Sequence, residues 1–104
     1  MKDNSQALLF SQSDGILTII LNRPEARNAL TFEMYKNLQS VCSKAGTEKD
    51  EQGIKAIIIT GSGDKAFAAG TDIGQFTDFK SVQDGYDYEA KVDEVITSIE
   101  TCRV

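Results

Sequence analysis

The chain has 104 residues, 40% hydrophobic and 26% charged, with a net charge of −5 and a sequence pI near 4.6. That is room for one small domain of ordinary globular composition, and the acidic balance excludes a basic nucleic-acid-binding face or attraction to an anionic membrane. The absence of histidine excludes a His-based triad and a zinc site of the usual kind within this polypeptide.

Residues 1–5 are polar and expected to fray. The start, MKDNSQALLF, lacks a signal-peptide layout, and no run approaches the ~20 apolar residues of a membrane span. Residues 7–12 and 15–21 read as two strands, because the second is rich in β-branched residues and Asp14-Gly15 between two apolar runs is a hairpin signal. Asn22 to Leu30 is a loop, in which Pro24, lacking an N–H, ends strand pairing. Thr31 is a suitable N-cap and Glu33 suits the positive end of a helix dipole. Phe32, Tyr35, Leu38, Val41, Cys42 and Ala45 recur at three and four residues, which predicts an amphipathic helix over 32–45 ended by Gly46.

Thr47 to Gly53 is a solvated connection. Ile54 to Thr60 is nearly all apolar, which predicts a strand covered on both faces. Gly74 to Phe79 predicts one or two helical turns and Lys80 to Gly85 a loop. Tyr88, Val92, Val95, Ile96, Ile99 and Cys102 then give a second helix over 86–102. The order hairpin, helix, buried strand is that of an α/β fold. A strand buried on two sides needs more neighbours than one hairpin supplies, so the chain is expected to be part of a larger fold. Cys42 and Cys102 sit at helical apolar positions without metal-ligand spacing. They read as buried thiols in a reducing compartment, with the cytoplasm as the default location.

The chemistry concentrates in Ile54 to Ile73. Gly61-x-Gly63-x-x-Ala66 after a strand formally fits the dinucleotide fingerprint. Asp64 in the turn and the lack of a second strand at the right distance count against it, and no Gly-Lys-Ser/Thr marks a P-loop. Asp72, Asp78, Glu89, Asp93 and Glu94 are explained by helix ends and solvated faces. Phe67-Ala68-Ala69-Gly70 has two readings: a tight packing loop, or exposed backbone N–H groups beside a helix start, the ingredients of an oxyanion hole.

Two separated segments carry a resemblance. Ile20 to Leu30, ILNRPEARNAL, and Ala56 to Ile73, AIIITGSGDKAFAAGTDI, resemble the two early signatures of the crotonase, or enoyl-CoA hydratase/isomerase, superfamily. The resemblance extends over about residues 7–104. It implies a crotonase-like ββα superhelix (ClpP/crotonase type), with residues 1–104 as the N-terminal part of a single domain, truncated to its first ββα units. It also implies an acyl-CoA thioester as ligand, with coenzyme A as part of the substrate and no separate cofactor or metal, and homo-oligomers that are trimers or hexamers.

The implied chemistry is stabilisation of a thioester enolate by two backbone N–H groups. Hydration of a 2-enoyl-CoA is the commonest outcome and double-bond isomerisation the next. The resemblance makes the Ala69 N–H one oxyanion donor. It places Arg23, Glu25, Ala26, Arg27 and Ala29 at the CoA nucleotide and pantetheine, with Ala26 near the adenine. Ala66, Ala68, Ala69, Gly70, Thr71, Asp72 and Ile73 would line the nucleotide and thioester end. Arg23 and Arg27 are the expected phosphate partners, since guanidinium forks suit phosphate oxygens. The family's second donor, in a Gly-Gly segment, and its catalytic glutamates have no counterpart before Val104, so the chain alone is expected to be inactive. The alternative is a non-catalytic CoA-binding or protein-interaction module on the same fold.

Overall fold

The computed structural model describes residues 6–72, 74 and 79–104. Strand β1 (Leu8–Ser13) and strand β2 (Ile16–Leu21) form the expected hairpin, in register from Leu8 opposite Leu21 to Ser13 opposite Ile16. Asp14 and Gly15 both take positive φ, 55° and 83°, the geometry of a two-residue turn whose twist matches that of the strands it joins. Helix α1 (Phe32–Lys44) then crosses over, and strand β3 (Ala56–Gly61) returns parallel to β2. The sheet order is β1-β2-β3, and helix α2 (Val82–Glu100) packs on α1. The fold is thus a ββα arrangement with a mixed sheet and two helices, as the resemblance implies.

The core lies under one face of the sheet. Leu8, Leu17, Ile19 and Leu21 point into it, with Ile19 fully inaccessible, and meet Met34 and Leu38 of α1 and Val95 of α2. In α1 the buried positions are Met34, Leu38 and Cys42, followed by Ala45 at the C-cap, while Tyr35 and Val41 are half-buried and Phe32 is exposed. The helix is therefore rotated from its predicted face, and Met34 is the residue that the apolar spacing missed. The N-cap holds: the Met34 N–H donates to Thr31 Oγ1 at 3.2 Å.

Two expectations need correction. β3 has β2 on one side and no strand on the other among the described residues; its side-chain burial alternates because only one face of the sheet is covered, and Ile58 is 50% exposed. An unbroken apolar run does not itself supply a second cover. α2 starts four residues before its predicted start, because Ser81 caps it through the Asp84 N–H and the Asp84 carboxylate accepts from the Lys80 N–H. Gly85 consequently lies inside the helix, and Cys102 falls beyond its end. Of the segment expected as short helical turns at 74–79, all but its two end residues lie outside the described residues.

The polar connection 47–53 is more ordered than a solvated link. The Asp50 carboxylate accepts from the N–H groups of Gly46, Gln52, Gly53 and Ile54, and these bonds lower its pKa. That closes the loop so that β3 begins in register. Cys42 and Cys102 are free thiols. Cys42 is pushed up to about 11 by burial and the neighbouring Cys102.

Candidate functional site

The site is built where β2 and β3 end side by side. Leu21 pairs with Gly61, so the loops that follow both strands leave from the same edge of the sheet. The first loop makes a short 3-10 turn, Pro24–Ala26, and then places Arg27 and Asn28 at positive φ, 52° and 59°. Asn tolerates that conformation better than most residues with a side chain. It also turns the Asn28 side chain inward, where it is completely buried.

Asn28 ties the two loops together. Its Oδ1 accepts from the Arg23 N–H at 2.9 Å, and its Nδ2 donates to the carbonyls of Ser62 and Ala66 at 3.0 and 2.9 Å. A Cβ on Gly61 would lie 2.6 Å from the Phe67 carbonyl oxygen, 2.7 Å from that of Ala66 and 2.8 Å from Asn28 Nδ2. Glycine is needed at position 61 for this backbone approach, not for cradling phosphate.

Further along, the loops zip together through the backbone. The Ala69 N–H donates to the Arg27 carbonyl (3.0 Å), the Leu30 N–H to the Gly70 carbonyl (2.7 Å) and the Asp72 N–H to the Leu30 carbonyl (2.9 Å). By the first of these bonds the Ala69 N–H, the expected oxyanion donor, is engaged within the protein and faces Arg27. The second fixes the direction of the next N–H in the loop. In a planar trans peptide the N–H points opposite to the C=O. With the Gly70 carbonyl held towards Leu30, the Thr71 N–H points the other way. Among the described residues it has no backbone acceptor. Gly70 permits this with a φ of +102°, and a Cβ there would meet nothing within 4 Å, so the loop is open on that side.

The charged residues divide into brace and surface. The Arg23 guanidinium donates to the Ala29 carbonyl at 2.7 Å and pairs with the Asp72 carboxylate at 2.9 Å. Both bonds are internal to the two loops. The Gly74 N–H and Arg23 hold the Asp72 carboxyl below its ordinary pKa, so it stays anionic and is a poor proton carrier. Arg27 is exposed and lines a cleft of about 140 Å³ with Pro24, Ser62, Asp64, Lys65 and Ala66. Glu25 is exposed, Ala26, Ala29, Ala66 and Ala68 are half-buried, and Ile73 lies outside the described residues.

Asn28 and Tyr35 are the contributors that the sequence reading missed. The Tyr35 hydroxyl lies 2.6 Å from Thr71 Oγ1 and so fixes α1 to the loop. No group of His, Cys, Asp and Glu able to hold a metal occurs among the described residues, and no helix there is long and apolar enough to cross a membrane.

Comparison with known proteins bears on the family and the fold. Residues 11–104 match the family model described as enoyl-CoA hydratase/isomerase. The chain is 37% identical over 81 residues to a mitochondrial 3-hydroxyisobutyryl-CoA hydrolase of Dictyostelium discoideum, covering 78% of this chain and 21% of that protein. It is 35% identical over 88 residues to the human mitochondrial enoyl-CoA hydratase domain-containing protein 3, covering 85% of this chain and 26% of that protein. Among solved structures, a Mycobacterium smegmatis enoyl-CoA hydratase superposes with a TM-score of 0.79 at 28% identity, over 94% of this chain and 37% of the other. The chain thus spans about a quarter of the length of these two curated relatives.

Proposed function

Because the chain belongs to the enoyl-CoA hydratase/isomerase family, we propose that it is the acyl-CoA-binding portion of an enzyme that stabilises a thioester enolate. The observation that carries this reading is the outward Thr71 N–H, set by the Gly70 carbonyl on Leu30. A fixed N–H beside an open surface can donate to a thioester oxygen as negative charge builds on it, with no reorganisation at the moment of reaction. The Thr71 N–H is the donor, and Ala69 supports it by holding the loop. Arg27, on the small cleft with Lys65, binds the nucleotide phosphates of CoA. Arg23 and Asp72 brace the loops and do not touch the reacting atoms.

Hydration of a 2-enoyl-CoA is the reaction we assign to the whole enzyme. The second N–H donor and the carboxylates that move protons come from parts of it outside these 104 residues, in keeping with the quarter of its relatives' length that the chain spans. The whole enzyme assembles as a trimer or hexamer. One donor of an oxyanion hole is worth about 10²–10³ in rate, and the proton-transfer groups typically a further ~10²–10⁴. The chain by itself is therefore expected to bind acetyl-CoA yet hydrate crotonyl-CoA negligibly. Calorimetry and a hydration assay on the purified chain test both halves. Absence of binding would overturn the acyl-CoA reading, and robust turnover would overturn the division of labour.

A further inference from the structure

The two cysteines play no part in the site above, yet the fold brings them together. Cys42 lies in the last turn of α1 and is buried, whereas Cys102 follows the end of α2 and is half-buried. Two features of the backbone deliver Cys102 to Cys42. The end of α2 turns tightly: the Thr101 N–H donates to the Thr97 carbonyl at 2.9 Å and the Cys102 N–H to the Ile99 carbonyl at 3.3 Å. The residues that follow lie across the end of α1, since a Cβ on Gly46 would be 2.8 Å from Val104 Cγ1 and 3.0 Å from Arg103 Cβ. Gly46 is about one helical turn past Cys42, so this packing sets Cys102 against the Cys42 side chain. The two thiols are within hydrogen-bonding reach of one another.

Among the described residues no third His, Cys, Asp or Glu joins the pair to hold a metal ion. Two facing thiols without a third ligand are suited to thiol–disulfide exchange. Their difference in burial sets the order of events. An oxidant in solution reaches the half-buried Cys102 and not the buried Cys42. Cys42 then lies in place as the thiol that resolves whatever forms on Cys102.

We propose that Cys42 and Cys102 are a reversible redox site, at which a small disulfide oxidant such as oxidised glutathione closes a bridge that pins the end of α2 to α1. In the first step the Cys102 thiolate attacks one sulfur of the oxidant. One glutathione leaves as its thiolate, and a mixed disulfide stands on Cys102. In the second step the Cys42 thiolate attacks the Cys102 sulfur and expels the other glutathione. Two protein thiols are oxidised, one glutathione disulfide is reduced to two thiols, and the two cysteine protons end on glutathione. The Cys42 thiol is pushed up by burial and then by the charge of Cys102. The mixed disulfide removes that charge, so the first step eases the second. The bridge closes a loop of about 60 residues, which restricts the unfolded chain and stabilises the folded one. In a reducing compartment both thiols stay free and the site is silent.

The test is incubation of the folded 104-residue chain with excess oxidised glutathione, followed by intact mass and peptide mapping without reductant. The expected product is a single chain lighter by two hydrogen atoms, with Cys42 and Cys102 joined. Its melting temperature should rise by about 10 °C, and dithiothreitol should return it to the starting value. Cys42→Ser should stop at a glutathione adduct on Cys102. Cys102→Ser should leave Cys42 unmodified, because burial shields it. If either variant fails to fold by circular dichroism, the wild-type chain decides the matter alone. A glutathione adduct that persists on its Cys102, a disulfide between two chains, or both thiols left free would each overturn the proposal. A bridged chain that melts no higher than the reduced one would overturn the pinning of α2.

Discussion

Replacing Asn28 by Ala should nearly unfold the chain, although Asn28 touches no ligand in the account above. The side chain makes three hydrogen bonds, to the Arg23 N–H and to the carbonyls of Ser62 and Ala66. At about 1 kcal/mol each their loss costs about 3 kcal/mol, since the three partners are left in a cavity. Alanine must also hold a φ of 59°, where a Cβ clashes with the following carbonyl, adding about 1 kcal/mol. The sum, about 4 kcal/mol, is most of the stability at the low end of the ~5–15 kcal/mol range, where a chain this small is expected to lie. Asn28→Gly separates the two costs: it loses the bonds but not the conformation, and should be about 1 kcal/mol more stable than Asn28→Ala. Urea unfolding followed by far-UV circular dichroism measures both, with an unchanged slope showing that the variants unfold from the same state. An Asn28→Ala variant within about 1 kcal/mol of wild type would refute the reasoning. So would a glycine variant no more stable than the alanine one.

Gly61→Ala should be at least as damaging, because the added methyl meets two backbone carbonyls that cannot swing away; soluble expression and thermal melting report it, and a melt like wild type would contradict the close approach. Acid should weaken the chain through Asp50 and Asp72. Both pKa values are lowered on folding, so their stabilisation is present above the unfolded value of about 4 and is lost as pH falls through the folded values. Melting curves from pH 6 to pH 2 should show it, and Asp50→Asn should flatten the acid limb. Arg27→Ala should weaken CoA binding several-fold with little change in melting temperature. Arg23→Ala should do the reverse, lowering stability by about 1 kcal/mol through loss of a partly exposed ion pair and one hydrogen bond.

What could be read from the sequence was local. Asp14-Gly15 specifies its own turn, Thr31 caps the helix that follows it, and the two signature segments fixed the family before any contact was known. What could not be read depends on partners far along the chain. Asn28 bonds carbonyls 34 and 38 residues away, so its burial has no local signal beyond an Asn in a loop that needs a left-handed residue. The hydrogen bond that engages the Ala69 N–H was out of view for the same reason. Which N–H of Ala69-Gly70-Thr71 faces outward is decided by the bonds of Arg27 and Leu30 to this loop, and spacing does not encode the rotation of a peptide plane. The apolar run in β3 was legible as a strand, but its pairing with β2 alone among the described residues was not, because strand order follows from the crossover through α1.

The central claim is that the Thr71 N–H, and not that of Ala69, meets the thioester oxygen. Amide nitrogen–proton NMR of the labelled chain during titration with acetyl-CoA tests it directly. The account predicts that the Thr71 amide shifts with ligand while the Ala69 amide stays in place and exchanges slowly, held by the Arg27 carbonyl. A shift at Ala69 with Thr71 unmoved would contradict it.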